Sequence, residues 1–197
     1  NGGFSINIMT ESDVLFKITS KVQLLSIHKK LDIRNSLWDF YFMLLQTNRL
    51  IIEHFKDSDI PDWAKIESDA DVRRFVDGKV LSLKEAGEYV EMNILQYQTH
   101  GYGRYAVRLK ENRKLIGMCG FLDEPYGIDF GYRYSKDSWG KGLGFEAAKE
   151  VLEYGFTDLG LEKVLALTAE QNYGSIRILE KLGFKFQEKF LFNNTKA

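Results

Sequence analysis

The run Trp139-Gly140-Lys141-Gly142-Leu143-Gly144-Phe145-Glu146-Ala147-Ala148 drives a glycine-spaced turn straight into a helix-period pattern. Glycine tolerates φ > 0 and lets a ligand come close to the main chain. The free N–H groups of a helix's first turn, at the positive end of its dipole, attract anions. The stretch therefore reads as a backbone cradle for phosphate. No Gly-Lys-Ser/Thr closes it, so it is not a Walker A loop, and the G-x-G-x-x-G spacing of a dinucleotide fingerprint is absent. Alone, Gly-x-Gly-x-Gly also describes an ordinary tight turn.

The rest of the chain orders itself around that turn. Arg49 to Phe55 is a β-branched and aromatic strand. Asp57 or Ser58 can cap a helix with Pro61 near its first turn, and residues from Asp69 to Gly78 are polar and loop-like. Ser82 with Glu85 three residues on is a capping box. Its helix runs to about Gln98, with Ala86, Tyr89, Val90, Ile94 and Tyr97 on one face. Three strands follow, Tyr105 to Leu109, Lys114 to Leu122 and Ile128 to Tyr134. After the glycine turn come a helix from Phe145 to about Leu159 and a strand from Val164 to Ala169. A helix from Tyr173 to Leu182, capped by Gly183, and a strand from Phe184 to Phe192 complete the order.

Composition narrows the class. A chain of 197 residues fits one domain, and 44% hydrophobic content can fill its core. A net charge of −1 leaves no electrostatic footprint for nucleic acid. Cys119 is the one cysteine, which excludes an internal disulfide framework and suits a reducing, cytoplasmic setting. Its apolar strand neighbours make it a buried small hydrophobe. No apolar run approaches transmembrane length, so no membrane partner is expected. His28, His54 and His100 have no metal-ligand spacing, so no metal is expected.

A second segment, Thr168-Ala169-Glu170-Gln171-Asn172-Tyr173-Gly174-Ser175-Ile176-Arg177-Ile178-Leu179-Glu180-Lys181-Leu182-Gly183-Phe184, carries a strand into an Asn and then a short helix. Together the two segments resemble the GNAT superfamily of acyl-CoA-dependent N-acetyltransferases. Trp-Gly-Lys-Gly followed by Glu-Ala-Ala looks like its ribosomal-protein N-terminal acetyltransferase branch. Gly142 and Gly144 match the two glycines of the family's Q/R-x-x-G-x-G/A turn, and Trp139 takes the Q/R position. The likeness runs from Met43 to about Phe192 in the family's order. It implies an α+β (α/β) fold with a mixed, mostly antiparallel central sheet flanked by helices. That sheet splays between its fourth and fifth strands, here Ile128 to Tyr134 and Val164 to Ala169.

The resemblance also implies a site. Acetyl-CoA is the co-substrate, its pyrophosphate on the amides of Gly140, Lys141, Gly142, Leu143, Gly144 and Phe145. Lys141 adds charge there or is merely solvated. Trp139 packs or touches the coenzyme. The pantetheine lies in the splay, where backbone N–H groups of Tyr132, Arg133 and Tyr134 polarise the thioester as an oxyanion hole does. Asn172 lines that arm and also suits an N-cap. Ser175 is a weaker coenzyme contact, its small side chain permitting close packing. The helix Tyr that protonates the leaving thiolate in many members is Leu179 here, and Tyr173 could substitute. Asp129 is the first choice for the base and Glu170 the second. Each also reads as an ordinary strand-end carboxylate, and a base acting through water is open too. The acceptor is a primary amine, a protein N-terminus or a small molecule. Asp69, Asp71 and Asp77, in the loop from Glu67 to Leu83, could attract an ammonium, although Arg73 and Arg74 blur that signal.

Two boundaries follow. Residues 1–42 read as an N-terminal extension that the domain, residues 43–197, does not need. They are either translated from upstream of the true start or a real arm, and the absent Met and weak periodicity favour the first. At the other end the family's return strand is missing after Phe192, so the apolar edge of the last strand invites association. The protein is then a monomer or a homodimer. A competing reading is a GNAT-fold module that senses acyl-CoA without turnover, which the absent helix Tyr favours.

Overall fold

The computed structural model describes residues 4–10 and 44–190. Among them eight strands form one sheet: β1 (Phe4–Thr10), β2 (Leu44–Gln46), β3 (Leu50–Glu53), β4 (Arg104–Leu109), β5 (Leu115–Glu124), β6 (Gly127–Tyr134), β7 (Lys163–Ala169) and β8 (Lys185–Phe190). Their order is β2-β3-β4-β5-β6-β7-β1-β8. Every neighbouring pair is antiparallel except β6 and β7, which are parallel and share a single bridge at Asp129 and Leu165. Beyond that bridge the two strands part. The mixed sheet with a split between the strands on either side of the glycine turn is the architecture that the sequence implies.

Helices cover both faces. On one, α4 (Leu143–Thr157) and α5 (Tyr173–Leu182) lay Ala147, Val151, Leu152, Leu179 and Leu182 against Phe121, Phe130 and Tyr134. On the other, α1 (Ile60–Glu67) and α3 (Leu83–His100) press Trp63, Ile66, Ala86 and Val90 onto Ala106, Leu115 and Met118. A short α2 (Ala70–Arg73) interrupts the stretch read as loop, capped by Asp69, whose side chain accepts from the Asp71 amide. The local signals hold up where they were strongest. Ser82 and Glu85 form the reciprocal capping box, and Gly183 ends α5 in the left-handed region at φ 99°. Cys119 is fully buried, and burial pushes its thiol up to about 12.

The largest surprise is β1. It lies between β7 and β8, antiparallel to both, and buries Met9 in the main core. Residues 4–10 come from the segment read as an extension, so the sheet draws on both sides of the boundary suggested at Met43. The edge of β8 expected to lack a partner is paired with β1, and its opposite edge borders the sheet. The phenylalanines at the start of the last predicted strand, Phe184 to Phe192, do not share one environment. Phe184 precedes the strand, in the turn out of α5, and stacks on Phe130 with centroids 5.8 Å apart, whereas Phe186 is 56% exposed. Phe192 lies outside the described residues.

Candidate active site

The glycine turn is built as a cradle. Gly140 and Gly142 both stand at positive φ, 73° and 76°, where a side chain would be strained. Gly142 is the N-cap of α4, and no side chain caps that helix. The N–H groups of Gly140, Lys141, Gly142, Leu143, Gly144 and Phe145 reach no backbone carbonyl among the described residues. Unsatisfied donors aimed from a helix start are what a pyrophosphate requires, so the residues present fit coenzyme A.

The cradle is held from behind by residues that the motif does not announce. Arg49 donates to the Lys141 carbonyl at 2.9 Å and pairs with Glu146 at 2.6 Å. Thr47 and the Arg49 amide also donate to Glu146. Burial works against the Glu146 charge, but these hydrogen bonds outweigh it and keep its pKa below the ordinary carboxylate range. Trp139 donates its indole N–H to the Tyr134 carbonyl at 2.9 Å, latching the turn onto the end of β6, while its 43% exposed ring lines the cavity beside it.

That cavity, of about 930 Å³, passes through the split between β6 and β7. Side chains alternate along a strand, so its two sides differ. Toward α4 and α5 the walls include Gly140, Gly142, Gly144, Phe145, Tyr132, Asn172, Tyr173 and Ser175. The Asn172 side-chain carbonyl accepts from the Ser175 amide at 3.2 Å, so Asn172 caps α5 while bordering the cavity. Tyr132 spans from β6 to α5, its hydroxyl 3.0 Å from both the carbonyl and Oγ of Ser175. Burial raises the Tyr132 pKa, and the Ser175 bond only partly offsets that. Arg177 and Lys181, one turn apart on α5, add cations to this wall.

Toward α1, α2 and α3 the odd-numbered residues of β6 take over. Asp129 binds Arg104 through Oδ2, and Arg104 also donates to the Gly120 carbonyl at 2.6 Å. The guanidinium lies over Gly131, where a Cβ would stand 2.6 Å from Nη1, so only glycine leaves it room. Asp129 borders the cavity, and its Oδ1 is buried without a hydrogen-bond partner. Arg133 turns to this side as well and pairs at 2.5 Å with Glu67, a fully buried carboxylate that also holds Arg73 at 2.7 Å.

Four residues from the sequence reading fall elsewhere. Glu170 pairs with Lys189 of β8 at 2.9 Å and does not line the cavity, because the ion pair draws it along the sheet. The Leu143 side chain is in the core, and that of Lys141 is exposed off the cavity wall; for both, the backbone amide is what faces the turn. Leu179, at the position of the family's acid, is 2% exposed in the core. Among the described residues no group of His, Cys, Asp and Glu could hold a metal ion, and no helix is long and apolar enough to cross a membrane.

Comparison with known proteins places the fold in one class. The model for the acetyltransferase (GNAT) domain matches residues 49–185. An uncharacterized N-acetyltransferase, p20, from Bacillus licheniformis is 30% identical over 158 residues, 78% of this chain and 88% of that one. A GNAT-family acetyltransferase from Bacillus anthracis is 26% identical, covering 72% of this chain and 82% of its own, with a TM-score of 0.64. The ribosomal L7/L12 α-N-protein acetyltransferase RimL in complex with coenzyme A shares the fold at a TM-score of 0.66 and 17% identity, covering 74% of this chain and 86% of that one. The chain is an acetyltransferase of the GNAT family, whose members use acetyl-CoA.

Proposed function

We propose that the chain transfers an acetyl group from acetyl-CoA to a primary amine by direct attack on the thioester. The observation that carries this reading is a cavity running through the split sheet from the amide cradle to Asp129. The cradle takes the pyrophosphate, and Arg177 and Lys181 add charge for the coenzyme's phosphates. The β6 backbone past the lone bridge has no partner on β7, so it can bond the pantetheine and polarise the thioester carbonyl. The amine enters from the α1–α3 side. Its nitrogen bonds to the carbonyl carbon, the C–S bond breaks, and Asp129 Oδ1 takes the nitrogen's proton. An α-amine of pKa about 8 needs little help from a base. Tyr173, 68% exposed on the cavity wall, is the candidate to protonate the thiolate, since the Tyr132 hydroxyl is engaged with Ser175. Holding both reactants in one channel supplies much of the acceleration. Cys119 lies buried with a raised pKa, which argues against an acyl-enzyme route through it.

The buried Leu179 favours one competitor, an acyl-CoA sensor. A thiol-release assay over a mixed amine panel, run beside an acetyl-CoA titration, separates the two. Turnover on any amine supports the transferase; tight binding with no turnover supports the sensor.

Two substitutions probe the coenzyme half. Gly142→Val puts a β-branched side chain at φ 76° in the cradle. Acetyl-CoA affinity should fall at least tenfold, about 1.4 kcal/mol, in a chain that still melts cooperatively. Equal affinity by calorimetry would remove the cradle from the account. Asn172→Ala should cut turnover by more than the roughly 1 kcal/mol that a lost cap costs in stability. Wild-type turnover with a lowered melting temperature would leave Asn172 as a cap alone.

A further inference from the structure

The acceptor half of the cavity has an unexpected charge. Asp69, Asp71 and Asp77 suggested an attraction for ammonium, yet none of them is available. Asp69 caps α2 through the Asp71 amide. Asp77 is held by two 2.6 Å bonds from Arg73. Asp71 pairs with Lys136 at 2.5 Å, and that pairing lowers its pKa. Glu67 is shared between Arg73 and Arg133. What lines this half is Asp71 and Asp129 against Arg74, Arg104 and Arg133.

Of those three guanidiniums, two are in direct contact with a carboxylate and one is not. Arg104 and Arg133 are nearly buried, with close carboxylate partners. Arg74 is 57% exposed, and its one carboxylate partner among the described residues, Asp71, stands 3.9 Å away and is already bonded to Lys136. Its guanidinium lies 4.5 Å from the centre of the Phe75 ring, which orients its face and leaves its edge N–H groups for a ligand. A guanidinium edge is matched to a carboxylate.

Resting on the acetyl-transfer reading, we propose that the acceptor is an amine bearing a carboxylate, whose anion is bound by Arg74 while its nitrogen reaches Asp129. The class comprises a free acidic amino acid and a peptide with an acidic residue near its N-terminus. A polyamine meets no unpaired carboxylate here and is repelled by the surplus guanidinium.

The experiment uses the full chain with acetyl-CoA and matched acceptors: glutamate against glutamine amide, which has no carboxylate, an Ala-Glu peptide amide against its Ala-Gln counterpart, and spermidine. The acidic member of at least one pair should have a KM at least tenfold lower than its neutral partner, and the pair that shows it identifies the source. Arg74→Ala should abolish that preference by raising the KM of the acidic acceptor to that of its neutral partner, and Arg74→Glu should turn the preference toward spermidine. Equal KM values within both pairs, or a preference that survives Arg74→Ala, would overturn the proposal. The same pairs titrated by calorimetry onto the coenzyme A complex read the preference without turnover. Acidic preference in binding with no thiol release would keep this inference and sink the transferase reading instead.

Discussion

A chain lacking residues 1–10 is expected to lose its cooperative fold. The strand β1 fills the place between β7 and β8, pairing with β7 from Phe4 opposite Ala169 to Thr10 opposite Lys163. Removing it strips both neighbours of their ladders at once. Burial of Met9, 1% exposed, contributes about 1.5–3 kcal/mol by itself. Each ladder hydrogen bond adds about 0.5–1.5 kcal/mol. Summed over the strand, the loss rivals the roughly 5–15 kcal/mol that stabilises an ordinary domain. The two exposed edges would also invite association by strand addition. Circular dichroism should therefore show a broadened or absent melt, and light scattering should show aggregates. A peptide with the sequence of residues 1–10, added in trans, should restore part of the transition. An unchanged melting temperature in the shortened chain would mean that β1 is dispensable, as the sequence alone suggests.

Why β1 escaped the sequence reading is a matter of range. Phe4-Ser5-Ile6-Asn7-Ile8-Met9-Thr10 does alternate, as a half-buried strand should. Nothing local says that its partners lie more than 150 residues away, because strand pairing is decided by which edges the remainder of the sheet leaves open. Features whose physics is local were legible. The Ser82–Glu85 box, the Asn172 cap, the Gly183 terminator and the positive-φ glycines of the cradle each depend on residues within a few positions. Ion pairs between elements were not. Asp129 was visible as a strand carboxylate, but Arg104, 25 positions earlier, becomes its partner only through the register of β4, β5 and β6. Glu170 stood second to Asp129 as a strand-end carboxylate, and only the antiparallel packing at the far edge gives it Lys189. The acidic loop misled for the same reason: its carboxylates were counted one by one, while the fold pairs them with Arg73, Lys136 and Arg133.

Asp129 offers the second large effect, because its two proposed duties can be separated. Its Oδ2 neutralises a guanidinium that is 6% exposed, and its Oδ1 is buried without a hydrogen-bond partner in a residue that borders the cavity. Replacing Asp129 with Leu leaves Arg104 charged and unpaired in the interior, which should cost about 3–5 kcal/mol of stability. Removing the charge as well, in Arg104→Met with Asp129→Leu, should recover most of that loss, since an apolar pair of similar volume often replaces a buried ion pair at little cost. Turnover should behave differently. A general base contributes roughly 10²–10⁴-fold, and the double variant has none at this position, so kcat should remain at least about a hundredfold down although the fold has returned. Raising the pH should close part of that gap, because a larger fraction of the amine is then deprotonated before it arrives, whereas a merely misshapen site would gain nothing. Urea melts and pH–rate profiles on the wild type and the two variants test both halves. If the stable double variant turns over at the wild-type rate, Asp129 is only the counter-ion of Arg104, and the amine loses its proton to water.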